Sequence, residues 1–120
     1  MTALAKSTFV LNAVLLTLHE MDAVYWKEWR IFGIHDDQLG RKAFLLAHIA
    51  IFLLIFSALI HVDQPFGRIV SLILGSFLIV HFFLHLGAYS LGLFSEPLSA
   101  GIITAMLVVS VVQLVATLRA

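Results

Sequence analysis

The 120-residue chain has the composition of a protein that folds in a lipid bilayer. Hydrophobic residues make up 62% of it and charged residues 12%, whereas soluble domains have about 25% charged residues. Seven basic residues balance seven acidic ones, so the chain lacks the excess positive charge typical of nucleic-acid binding. It has no cysteine, which excludes disulfides, thiolate metal ligands and cysteine nucleophiles.

The first predicted element is an apolar helix over residues 4–25. Its start combines Lys6 with an apolar core, as in a signal peptide, but the core runs directly into His19 and Glu20 without a small-residue cleavage pattern. We therefore expect this segment to be retained as the first helix of the folded protein.

Aromatic and charged residues follow this helix. We expect the large aromatic side chains to form a belt at the membrane surface; they are Tyr25, Trp26 and Trp29. We expect the charged side chains to be solvated at the level of the lipid headgroups and to contribute little to any site; they are Lys27, Glu28 and Arg30.

Three further apolar segments follow, over residues 43–61, 67–90 and 97–118. The links between them are short, and the last one contains Ser95 as a predicted helix cap. A backbone in lipid must satisfy its own hydrogen bonds, which favours helices. The sequence therefore predicts an all-α, single-domain, multi-pass membrane protein. Its four transmembrane helices would form an up-down-up-down bundle with both termini on one side.

Histidines are the main candidate metal ligands among the side chains of this chain. Of the six histidines, four lie at a similar depth below the same membrane surface, given a helical rise of about 1.5 Å per residue. These four are His19, His48, His81 and His85. Since His81 and His85 are separated by about 40° around one helix axis, both can face one ion. The remaining two, His35 and His61, are expected to be interfacial groups outside any site.

Two acidic residues of the first helix accompany these histidines. Asp22 lies about 60° from His19 around the helix axis and shares its face, whereas Glu20 lies about 100° away and would need a helix rotation or another partner. Ionisable groups at this depth normally face a partner or a polar cavity. Imidazole nitrogens bind zinc or iron, and a nearby carboxylate can act as a base or orient a ligand. The predicted site therefore has the four histidines as metal ligands, with Asp22 ranked before Glu20 as the catalytic carboxylate.

Three functions are consistent with this cluster. The first is an integral membrane protein that binds zinc or iron and acts on a lipid-like substrate by hydrolysis or oxidation. The second is an electron-transfer subunit that binds haem b or a pigment through His48 and either His81 or His85. The third is an accessory subunit of a larger membrane complex, in which the cluster joins helices through hydrogen bonds. Membrane lipid is the expected partner, nucleic acid is not, and either a homo-oligomer or a membrane complex is compatible with the sequence.

The run His19-Glu-Met-Asp-Ala23, followed by Lys27-Glu-Trp29, resembles the signature of a family of small uncharacterised bacterial four-helix membrane proteins. This resemblance covers the whole chain and implies a location in the bacterial inner membrane, but it implies no activity.

The ligand pattern is also similar, more loosely, to that of transmembrane hydrolases of the ceramidase and adiponectin-receptor type. In those proteins an early histidine and a late H-x-x-x-H pair hold zinc beside an acid. The residues that would take these roles here are His19, Asp22, His81 and His85. Those hydrolases have seven spans, so only the ligand pattern carries over.

Overall fold

In a computed structural model the chain forms four long helices, and the structure describes residues 1–92 and 97–120. The helices are α1 (Ala3–Trp26), α2 (Gln38–Ile60), α3 (Pro65–Ser90) and α4 (Pro97–Leu118). A short 3-10 helix, Glu28–Phe32, follows α1. The described residues contain no strand, and the predicted all-α fold with four helices is confirmed. The predicted cap at Ser95 lies outside the described residues.

Three helices of the described chain are long and apolar enough to cross a membrane, namely Gln38–Ile60, Pro65–Ser90 and Leu98–Leu118. They indicate a multi-pass membrane protein. With 24 residues, α1 has the length of a span, but charged residues interrupt its apolar sequence at both ends. That α1 crosses the membrane as a fourth span stays a prediction.

Polar caps and a proline mark the starts of the first three helices. The Thr2 hydroxyl accepts a hydrogen bond from the backbone N–H of Ala5 at 3.2 Å. The Asp37 carboxylate accepts one from the N–H of Gly40 at 2.7 Å. These bonds satisfy backbone donors that have no partner within the helix. Pro65 begins α3. The backbone N–H at this first position has no acceptor within a helix, so its absence in proline costs no hydrogen bond.

The core is formed mainly by α1, α3 and α4, and Ile55 and Ala58 of α2 complete it. Helix α4 packs along both α1 and α3, while α2 contacts mainly α3. The three buried residues of α2 are Gly40, Ile55 and Ala58, and two of them lie in its C-terminal half. Most of the N-terminal half of α2 is therefore not covered by its neighbours.

One end of the bundle gathers the N-terminus, the link between α2 and α3, and the C-terminus. The carboxylate of Asp63 lies 3.3 Å from the N-terminal ammonium and 2.7 Å from Nζ of Lys6. A surface cavity at this end is lined by both Met1 and Ala120. These contacts agree with the predicted up-down-up-down order, in which both termini share one end.

A fully buried polar network joins the three core helices. The side-chain amide of Gln113 in α4 accepts a hydrogen bond from Asn12 in α1. It donates to the backbone oxygen of Ser71 in α3 at 2.7 Å and to the Ser71 hydroxyl at 3.0 Å. The hydroxyls of Ser110 and Thr117 extend the network. Such bonds between helices supply the association that the hydrophobic effect cannot provide in lipid.

Candidate metal centre

Three histidines from two helices bring their Nε2 atoms to one point. Nε2 of His81 lies 2.8 Å from Nε2 of His19 and 3.0 Å from Nε2 of His85. The ring of His19 meets those of His81 and His85 edge-on, with centroids 4.9 and 5.0 Å apart. All three side chains are at most 7% exposed. The structure therefore brings together three of the four predicted histidine ligands in a site removed from solvent.

Helical periodicity explains why these histidines point inward. The buried stripe of α3 runs through Leu74, Leu78, His81, His85 and Ala88. Successive members are three or four residues apart, so they share one face of the helix. In α1 the buried face includes His19 in the same way. The histidines thus continue the apolar face that packs the bundle.

Glu28 brings a carboxyl group beside two of these nitrogens. Its Oε2 atom lies 3.4 Å from Nε2 of His19 and 3.4 Å from Nε2 of His85. The side chain is 3% exposed. Burial away from water, reinforced by the nearby carboxylates of Asp22 and Glu20, raises the pKa of Glu28 to about 8. The prediction that Glu28 is a solvated headgroup-level residue is therefore wrong.

The position of Glu28 follows from a reversal of the chain at Lys27. This residue has φ 56° and ψ 48°, in the left-handed region, and its N–H bonds to the carbonyls of Ala23 and Val24. The chain then continues as the 3-10 helix Glu28–Phe32 and not as a longer α1. Glu28 consequently turns back toward the bundle, where a continued helix would have carried it away.

The same reversal divides the predicted aromatic belt. Tyr25 and Trp26, which precede it, are 75% and 43% exposed, as expected for side chains at a membrane surface. Trp29, which follows it, is 4% exposed, and its ring centroid lies 5.2 Å from that of Phe44 in α2. The prediction that Trp29 belongs to the belt is therefore wrong, because its side chain is buried against α2.

Asp22 lies beside the cluster and connects it to α4. A carboxylate oxygen of Asp22 lies within 4.8 Å of the ligand atoms of His19 and Glu28. The hydroxyl of Ser99 in α4 donates a hydrogen bond to Oδ2 of Asp22. Asp22 and Glu28 thus place two carboxylates next to the histidines.

His48 and Glu20 form a separate pair. Nδ1 of His48 donates to the carbonyl oxygen of Phe44 at 2.7 Å, since a carbonyl only accepts. Nε2 of His48 lies 2.8 Å from Oε2 of Glu20. The structure places His48 next to Glu20 and outside the group of three histidines.

The two histidines predicted to lie outside the site do so. His35 and His61 are both exposed. His61 belongs to the opposite end of α2 from His48, where its Nδ1 donates to the carbonyl oxygen of Ser57 at 2.9 Å. They offer matched controls for the buried histidines.

A cavity of about 450 Å³ opens beside the site, between α1, α2 and α3. His19, His81 and Glu28 line one wall of it, and Glu20 and His48 contribute the only other ionisable side chains among its described lining residues. The rest of the lining is apolar. A smaller cavity of about 200 Å³, between α3 and α4, reaches His85. The site is therefore accessible to a ligand although its side chains are buried.

The three residues His19, His81 and His85 could hold a metal ion. A zinc ion bound tetrahedrally at about 2.0–2.1 Å would separate its ligand atoms by about 3.3–3.4 Å. The two distances from Glu28, both 3.4 Å, match this edge, and the nitrogen to nitrogen distances of 2.8 and 3.0 Å are somewhat shorter. The three nitrogens thus form one possible ligand group, and Glu28 places a carboxyl oxygen beside two of them.

The chain belongs to a family of unknown function, DUF6713, whose model matches residues 5–120. Comparison with curated proteins and with solved structures gives no match. The family agrees with the predicted membership of a small uncharacterised group, while nothing in the comparisons supports the likeness to ceramidase- and adiponectin-receptor-type hydrolases. Glu28, which reasoning from the sequence missed, belongs to the Lys27-Glu-Trp29 run of the resemblance, and that was the one signal that could have indicated it.

Proposed function

We propose that this protein is an integral protein of the bacterial inner membrane that binds zinc or iron through His19, His81 and His85. The observation that supports this most is the meeting of three buried Nε2 atoms at distances of 2.8 and 3.0 Å. Nitrogen lone pairs that point at one place, away from water, need a proton or a cation between them. Imidazole is a common ligand of both zinc and iron. Glu28 supplies the carboxylate that would offset part of the ion's charge.

The cavity supports an enzymatic role on a substrate dissolved in the membrane. An ion held by three histidines can make a water molecule acidic near neutral pH and can polarise a carbonyl group. Glu28 lies on the cavity wall with the histidines, where its carboxylate can either complete the ligand set or accept a proton from water. Apolar walls around this polar end favour a lipid-like substrate. With zinc we expect hydrolysis by water, and with iron oxidation by dioxygen.

The metal content of protein purified in mild detergent, without chelators, tests this proposal. We expect about one zinc or iron ion per chain, and strongly reduced metal in His19→Ala, His81→Ala and His85→Ala, since each loses a coordinate bond. His61→Ala removes an exposed histidine and should leave the metal content unchanged. Full occupancy in the His81 and His85 double variant would refute the ligand assignment. His48→Ala decides whether His48, despite its contact with Glu20, also ligates the ion.

The same preparation separates the alternatives. A haem b or pigment protein would show intense visible absorption and a difference spectrum on reduction. A colourless preparation with stoichiometric zinc contradicts that function. A folded preparation without metal would instead favour an accessory subunit, whose histidine cluster joins helices as the Gln113 network does.

A further inference from the structure

We infer, on the basis of the proposed metal centre, that its substrate is an uncharged lipid that inserts one hydrocarbon chain. The chain would occupy the cavity between α1, α2 and α3, and the polar head would reach His19, His81 and Glu28. Suitable heads are those of an alcohol, aldehyde, ester or amide. The shape, volume and charge of the cavity each point to this class.

The shape of the cavity indicates entry from the side of the bundle. Its wall on α2 includes the small side chains of Ala43 and Ala47, followed by Ile51. No residue of α2 between Gly40 and Ile55 is buried. A cavity bordered by this uncovered stretch of a membrane-spanning helix opens toward hydrocarbon, where a lipid chain is already dissolved.

The volume of the cavity favours one chain. At about 450 Å³ it lies within the range of about 300–1,000 Å³ that is typical of small-molecule sites. A water molecule occupies about 30 Å³ of liquid and a methylene group is of similar size, so there is room for roughly 15 such groups. That is enough for one long chain, and any second chain of the same lipid would remain in the surrounding hydrocarbon.

The charges at the polar end disfavour an anionic head. Neither lysine nor arginine is among the described residues that line the cavity. The carboxyl groups of Glu20 and Glu28 line the cavity, and a carboxyl oxygen of Asp22 lies within 4.8 Å of the ligand atoms of His19 and Glu28. A phosphate or carboxylate head would therefore enter without the guanidinium or ammonium groups that normally recognise it. An uncharged head carries no such penalty.

Photo-crosslinking in phosphatidylcholine nanodiscs tests this inference on the metal-loaded protein. The probes are hexadecanol and hexadecanoic acid, each with a diazirine near the middle of the chain, and mass spectrometry locates the labelled residues. We expect the alcohol to label the cavity residues of α2 and α3 saturably and several-fold more than the acid does. Excess unlabelled hexadecanol should suppress this labelling but not the labelling of lipid-facing residues elsewhere.

Variants of α2 provide the control for position. Ala47→Trp fills the cavity and should reduce its labelling several-fold, while Ala50→Trp, on the same helix but outside the lining, should not. Ala47→Leu is a milder version in case the tryptophan variant does not fold. Equal labelling by alcohol and acid would contradict the preference for an uncharged head group. Labelling that is unaffected by Ala47→Trp and Ala47→Leu would contradict the assignment of the cavity as the binding site of the chain.

Metal content, measured on the same samples, separates these results from failure of the metal centre. A metal-loaded protein without cavity labelling refutes only this inference, whereas a protein without metal refutes the proposed function.

Discussion

The substitution Glu28→Gln tests the residue of the site whose observed environment differs most from the predicted one. It keeps the size of the side chain and removes the carboxyl group that could ionise beside a bound metal ion. In the structure an oxygen of this group lies 3.4 Å from Nε2 of both His19 and His85, in a side chain that is 3% exposed. An ion held between the histidines would thus lose its nearest anionic oxygen. We expect weaker metal binding with little change in the fold.

The size of the loss depends on the role of Glu28. Removing a residue that only orients or balances a metal site from outside typically weakens metal binding by about 10–100-fold. At about 1.4 kcal/mol for each factor of ten, this is roughly 1.4–2.8 kcal/mol of binding free energy. Removing a direct ligand costs more than that. We therefore expect Glu28→Gln to weaken zinc or iron binding at least about tenfold.

Competition with a chelator of known affinity, in detergent, measures this change. Asp36→Asn is the matched control, because it also converts a carboxylate to an amide near the same link. Asp36 pairs with Lys27 at 2.6 Å and Arg41 at 3.2 Å on the surface, and exposed ion pairs contribute little. Wild-type affinity in Glu28→Gln, together with loss of metal in His81→Ala, would show that Glu28 does not belong to the metal site.

Three further predictions concern the bundle. The chain lacks cysteine, so single cysteines introduced at Thr2, Gln38 and Ala120 can be labelled with a membrane-impermeant maleimide. If α1 is a fourth span, the cysteines at Thr2 and Ala120 should react from one side of the membrane and the cysteine at Gln38 from the other. Gln113→Leu leaves buried hydrogen-bond partners unsatisfied and should lower the free energy of unfolding by about 1–3 kcal/mol. Its thermal midpoint should be lower than that of the control variant Val112→Leu, which changes an exposed neighbour. Lys6 and the N-terminus hold the pKa of Asp63 below its usual value, so their contribution to stability is present above the ordinary pKa and lost as the pH falls through the lowered one. Thermal midpoints of the wild type and Asp63→Asn should therefore differ at neutral pH and converge in acid, and a difference independent of pH would contradict this.

The helices could be predicted from the sequence because the signals for them are local. A long apolar run in lipid has to be helical, and the predicted segments 43–61 and 67–90 correspond to α2 (Gln38–Ile60) and α3 (Pro65–Ser90). The predicted start of α2 is five residues later than the observed one, because hydropathy does not detect the polar first turn that follows the Asp37 cap. Helix existence thus follows from the apolar pattern, whereas helix ends depend on caps.

The site could be predicted only in part, because depth and orientation are different kinds of information. Depth along the helices correctly grouped His19 with His81 and His85. It also selected His48, but the rotation of α2 about its axis depends on packing, and there His48 faces Glu20. The angle of about 100° between His19 and Glu20 already required another partner for Glu20, and the structure identifies that partner as His48.

The return of Glu28 to the site depends on the left-handed backbone of Lys27, which no sequence signal marks, because glycine or asparagine is the usual residue there. This conformation costs an L-residue about 1–2 kcal/mol, which glycine avoids and a β-branched residue tolerates least. Lys27→Gly should therefore keep the metal affinity, while Lys27→Val should displace the 3-10 helix, withdraw Glu28 and weaken metal binding as much as Glu28→Gln does. Both variants lose the ion pair with Asp36, so the comparison isolates the backbone. Chelator competition measures the affinities, and circular dichroism checks that both variants keep their helices. If Lys27→Val binds metal as tightly as Lys27→Gly, the position of Glu28 does not depend on this turn.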